Sequence, residues 1–160
     1  MTDSSAHPGA APGFEAYAAL ERQRSQLAEA IRPANKAALF SALAGLGIAR
    51  VVVTFDGSGD SGQIEAMEAF TAGNATAALG DDLRVPVHRA PWDGSAAETH
   101  ELTLADAIEA LAYDLLAETH GGWEDNEGAY GEFSFDVASQ TITLEYNERV
   151  LQTEYHEHEF

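Results

Sequence analysis

The segment Asp56-Gly57-Ser58-Gly59-Asp60-Ser61-Gly62 places side-chain oxygens at alternating positions, and Glu65 follows closely. Hard oxygen donors at that density suit a divalent cation, or the ammonium and guanidinium groups of a basic protein. The match to a calcium loop is partial. Counted from Asp56, the sharp-turn position that needs glycine holds Ser61, and the position of the bidentate glutamate holds Met67. A second oxygen-rich stretch, Glu124-Asp125-Asn126-Glu127, is flanked by Trp123 and Tyr130. Aromatic side chains beside carboxylates suit a protein- or sugar-binding surface, and at a helix-to-strand junction they equally close a core. His156 and His158 lie in the ending Tyr155-His-Glu-His-Glu-Phe160. On a strand, residues two apart share a side, so this pair together with Glu154 suits a transition metal. The candidate metal ligands are therefore Asp56, Asp60, His156 and His158. The candidate binding surface is Asp56, Asp60, Glu65, Trp123, Glu124, Asp125, Glu127 and Tyr130.

Two literal motifs in the same loop fail on context. Gly57-Ser-Gly59-Asp-Ser-Gly62 spells the dinucleotide fingerprint G-x-G-x-x-G. Asp56 and Asp60 would set carboxylates beside the pyrophosphate, and no second β-α-β half follows. Gly59-Asp-Ser61-Gly62 carries the letters around a chymotrypsin-like serine nucleophile. That fold needs far more chain and a strand-rich N-terminal half, whereas this N-terminal third reads as helical.

The elements that must position these residues follow from periodicity. Met1 to Gly13 is rich in small residues and proline with little to bury, and reads as a flexible tail. Tyr17, Leu20, Leu27 and Ile31 recur at helical spacing up to Pro33. A second helix is expected from Asn35 as its cap, through Leu39, Phe40 and Leu43, to Gly45 or Gly47. Ile48 to Phe55 reads as a central strand buried on both faces. Gln63 to Thr71 reads as a strand returning antiparallel before a Gly73-Asn74 turn. Asp81 to Ala97 is a connecting segment with a short strand at Leu83 to His88. Leu104 to about His120 is an amphipathic helix started by Thr103 and Asp106. Phe133, Phe135 and Val137 alternate with polar residues in a half-buried strand that turns at Ala138-Ser139 into Gln140 to Glu148. Val150 to Phe160 is expected to add a last extended edge. This order describes an α+β fold: a mostly antiparallel sheet of four to five strands with helices packed on one face, in a single domain over residues 14–160.

The net charge of −19 is unevenly distributed. Through Arg50 the chain has four acids against five bases, and from Val51 onward 23 acids against three bases. Such a field repels nucleic-acid phosphates and anionic membranes and attracts cations and basic surfaces. The absence of cysteine removes disulfides, thiolate metal sites and cysteine nucleophiles, and suits a reducing compartment. With neither a secretory signal nor a membrane-length apolar run, the expected location is the cytoplasm.

The stretches Val51–Glu65, His120–Phe133, Ile142–Glu148 and Tyr155–Phe160 resemble an uncharacterised bacterial family of unknown function, family 6878, over roughly residues 34–160. The resemblance implies a small bacterial protein, often associated with mobile elements, and implies no catalytic activity. The sequence favours an acidic binding or regulatory protein that faces a basic protein partner. The alternative is a metal-dependent, hydrolase-like enzyme using the Asp/Glu loops, the histidine pair and a divalent cation.

Overall fold

A computed structural model describes residues 12–160 except Trp92 and Gly94, and of Pro12 only the backbone. The expected tail therefore lies almost wholly outside the described residues. The first element, α1 (Pro12–Gly45), is one continuous helix that carries Pro33 within it. The two helices expected on either side of Pro33 are thus a single one. Proline has a helix-compatible φ and removes one N–H donor, and alanine-rich turns on both sides sustain the helix around it. Asn35 does not cap a helix. Its side chain reaches the backbone of His88, accepting from the amide at 2.7 Å and donating to the carbonyl oxygen at 2.9 Å. α1 ends where Leu46 and Gly47 bond back to Leu43 and Ala44, with Gly47 at φ 73°.

The chain divides into two compact units. One runs through Ala38 and includes Pro86–Glu101, and the other comprises Leu39–Val85 and Leu102–Phe160. Strands β4 (Arg84–Arg89) and β5 (Glu98–Thr103) form a two-stranded sheet. β4 matches the expected short strand, and β5 is an addition to the reading. In the first unit, the His88 ring nitrogen Nδ1 lies 2.8 Å from Thr99 Oγ1, alongside the Asn35 clamp.

The second unit contains the main sheet, ordered β3-β2-β1-β6-β7. Its strands are β1 (Ile48–Ser58), β2 (Ser61–Thr71), β3 (Thr76–Ala77), β6 (Ala129–Asp136) and β7 (Thr141–Glu148), and every neighbouring pair is antiparallel. This is the α+β architecture expected, with five strands. β1 is central, but only one of its faces is fully buried. Val51, Val53 and Phe55 are enclosed, whereas Val52, Thr54 and Asp56 between them are half-exposed. The register puts Val53 opposite Phe133 and Val51 opposite Phe135. Phe40 of α1 meets this row, with its ring 6.3 Å from Phe135, and the Tyr113 hydroxyl accepts from the Ile64 amide of β2. α2 (Leu104–Thr119) buries Leu104, Ile108, Leu111 and Leu116, and begins with the Thr103 hydroxyl accepting from the Asp106 amide at 3.1 Å. Each such fully buried large side chain stabilises the fold by roughly 1.5–3 kcal/mol.

Arg149 to Phe160 forms no strand. The extended edge expected there is absent because these side chains are outside the core: Val150, Leu151 and Tyr155 are each nearly four-fifths exposed. Among the described residues no helix is long and apolar enough to cross a membrane.

Candidate functional site

The two acidic loops meet. β1 and β2 are joined by a tight hairpin whose central residues, Gly59 and Asp60, both have positive φ (60° and 67°), the geometry that suits the twist of paired strands. The G-x-G-x-x-G letters therefore lie in a hairpin, and no helix N-terminus follows them. The segment after α2 is a compact turn, with Asp125 N–H donating to Gly122 O and Gly128 N–H to Asp125 O, both at 2.9 Å. Backbone bonds tie it to the hairpin: Asp60 N–H donates to Glu124 O at 3.0 Å and Gly59 N–H to Asn126 O at 3.3 Å. Gly128, at φ 80°, lies so close that a Cβ there would overlap the Gly57 carbonyl.

Trp123 holds this junction from beneath. Its indole is buried, meets Phe55 edge-on at 5.4 Å between centroids, and covers the space that side chains at Gly57 and Gly62 would take. Tyr130 is 46% exposed. Of the two aromatic residues, Tyr130 alone presents a large surface to solvent, while Trp123 closes the core.

Arg149, which the sequence reading missed, organises the other side of the site. Its guanidinium meets both Asp56 carboxylate oxygens at 3.0 Å and donates to the Gly57 carbonyl at 3.2 Å. It also lies 4.8 Å from the centre of the Tyr130 ring, and its amide donates to Gly128 O at 2.9 Å. The paired Asp56 carboxylate raises the Arg149 pKa, with Glu65 adding to the effect through its charge. A signal was present, since Arg149 is one of only three bases after Arg50 and follows a strand that ends in glutamate. Asp56 is thus committed to a cation supplied by the chain itself. Glu65 lies where the β1–β2 register shifts: Thr54 pairs with Ala66 and Phe55 with Ile64, leaving Glu65 as the extra, exposed residue of a bulge.

Asp60, Glu124 and Asp125 crowd one another. A hydrogen bond to the Asp60 carboxyl raises the Asp125 pKa, and the charges of Asp60 and Glu124 push it the same way. Asp60, Asp125 and Glu127 are exposed and Glu124 is half-buried. Nearby, His120, the C-cap of α2, stacks on Tyr146 of β7 with centroids 3.6 Å apart and ring planes within 5°. Burial, followed by the charges of Glu148 and Glu124, raises the Tyr146 pKa.

His156 and His158 are exposed, and their contacts lie within the C-terminal segment. His156 is 3.7 Å from Glu154, and the His158 ring neighbours Phe160. Without a strand there, the argument from alternating sides does not apply to the pair. Among the described residues, no three His, Asp or Glu side chains are grouped so as to hold a metal ion.

No curated protein and no solved structure matches the chain. The family match covers residues 31–160 and so includes both loops, Arg149 and the C-terminal segment. The chain belongs to the family of unknown function DUF6878.

Proposed function

We propose that the chain is an acidic binding or regulatory protein of the bacterial cytoplasm, and that the joined loops present a carboxylate surface to a basic protein partner. The carrying observation is the crowding of Asp60, Glu124 and Asp125, held together by two backbone bonds between the loops, which keeps the Asp125 pKa raised. Mutual repulsion among these carboxylates is relieved by a cation from outside, and Arg149 is already engaged by Asp56 and Tyr130. Tyr130 adds an exposed ring at the rim.

The test is calorimetric titration with a lysine- and arginine-rich peptide. Affinity should fall steeply with added salt, and the Asp60→Asn/Asp125→Asn double variant should bind about tenfold or more weakly, as expected for losing two charge contacts of roughly 1 kcal/mol each. Binding indifferent to salt and to both substitutions would sink the proposal. Melting with calcium, manganese and zinc separates a basic side chain from a bound ion. A rise in Tm with one ion moves the reading to a cation site, because a ligand bound only by the native state stabilises it.

A further inference from the structure

The main sheet ends in two unlike edges. On one side β3 is two residues long and covers only Ala69 and Phe70 of β2. The remaining outer side of β2, from Ser61 to Glu68, is interrupted by the bulge at Glu65 and by the Tyr113 hydroxyl that takes the Ile64 amide. β7 runs for eight residues without proline, lysine or arginine, and pairs with β6 without a register shift. Among the described residues no strand pairs with its outer side. The direction of its backbone groups follows from Arg149, whose amide donates to Gly128 on the β6 side. In an antiparallel ladder the N–H and C=O of one residue point the same way, and successive residues point opposite ways. Thr141, Thr143, Glu145 and Asn147 therefore bond to β6, while Ile142, Leu144, Tyr146 and Glu148 turn their amides and carbonyls out of the sheet. Ile142, Leu144 and Tyr146 also lie on the core face, and they remain half-exposed where Phe133 and Phe135 beside them are fully buried. The apolar row and the backbone ladder thus stop unfinished at the same edge.

We infer that a second copy of the chain completes this edge, with the two β7 strands antiparallel about a two-fold axis at Leu144. In that register Leu144 faces the partner's Leu144, and Ile142 faces the partner's Tyr146, with outward amides and carbonyls exchanging on both sides. On the opposite face Thr143 meets the partner's Glu145 and Thr141 meets the partner's Asn147. Charge selects this register. Moving the axis by one residue toward the C-terminus would set Glu145 against the partner's Glu145, and like charges directly opposite are destabilising. Moving it the other way would lose the Ile142–Tyr146 contacts. Tyr146 is already held in place by its stack on His120. The pairing joins two five-stranded sheets into one, and it does not depend on the acidic-loop proposal.

Each copy carries a net charge of −19, so the dimer must strengthen as salt screens the repulsion. Binding of a basic partner at the loops weakens under the same change, which separates the two readings. The experiment is sedimentation equilibrium of the whole chain from about 0.05 M to about 0.5 M salt, with Thr143→Lys and Thr143→Glu. Thr143 is exposed and faces Ser134 in its own chain, so both variants should keep the fold. Thr76→Lys and Thr76→Glu on β3, at the far edge, make the same changes in net charge and serve as controls.

Relative to these controls, Thr143→Lys should tighten the dimer and Thr143→Glu weaken it, each by about two- to thirty-fold in Kd, since two symmetric cross-strand pairs change together. Exchange of the Ile142, Leu144 and Tyr146 amides should slow as the dimer forms and stay fast in Thr143→Glu. A chain that remains monomeric throughout overturns the inference. So does a dimer indifferent to residue 143, or one in which those three amides still exchange fast. Protection that appears only when a lysine-rich peptide is added to a monomer would assign the edge to a basic strand instead and would also overturn it.

Discussion

Carboxylates a few residues apart have unlike surroundings, and that divides their roles. Asp56 faces Arg149 and is neutralised within the chain, whereas Asp125 faces Asp60 and Glu124 and is not. A raised pKa in the folded state means that the native protein holds its proton more firmly than the unfolded chain does. Stability is therefore lost as pH rises from the ordinary aspartate value of 3.8 through the raised value, and the penalty is complete above it. Asp125→Asn keeps a donor for Asp60 and removes the repulsion. The variant should melt higher than the parent at pH 7, and the difference should shrink toward pH 4, as circular-dichroism melts at the two pH values would show. Asp136 is the opposite case. The Ser139 amide, and then its hydroxyl, lower the Asp136 pKa, so its contribution is present above the unfolded value and lost as pH falls through the folded one.

At the scale of elements, α1 shows why a proline is an unreliable stop. Its φ fits the helix, and the lost bond to the Glu29 carbonyl is a local cost that the surrounding turns sustain. Pro33→Ala should therefore raise stability by about 1–3 kcal/mol, read from urea denaturation, with part of the gain offset by a more flexible unfolded chain. Two residues on, Asn35 binds both backbone groups of His88. Asn35→Ala leaves a part-buried amide and carbonyl without that partner and should destabilise by about 1–3 kcal/mol in the same assay. Faster amide exchange at His88 would identify the clamp as the cause. β2 illustrates a third local device, since its bulge sets Glu65 outward while the Ile64 amide bonds to Tyr113 of α2.

For the whole molecule, charge and topology act at different places. Most of the excess of acids after Arg50 falls in the second unit and includes the joined loops, while the long edge without a register shift lies along β7. The two predicted associations therefore respond to salt with opposite signs. A single salt series on the whole chain, with and without a basic peptide, reads both.

Much of the element content was legible in the sequence because its causes are local. The 3.6-residue stripe and the Thr103 cap define α2, the alternation around Phe133 defines β6, and Val51-Val-Val53 defines a strand that belongs in the centre. Two local readings failed where a non-local partner decided the outcome: Asn35 found His88 instead of a helix N-terminus, and Val150–Phe160 found no neighbouring strand. The density of carboxylates in two glycine-flanked loops was likewise plain from composition and spacing. That these loops touch, that Arg149 occupies Asp56, and that Trp123 faces inward while Tyr130 faces outward were decided only by tertiary structure. Each depends on the register of β1 with β6, which places Asp56 opposite Tyr130 across about 70 residues of chain. Packing of the whole core selects such a pairing, because a slip of one residue would turn Phe133 and Phe135 out to solvent.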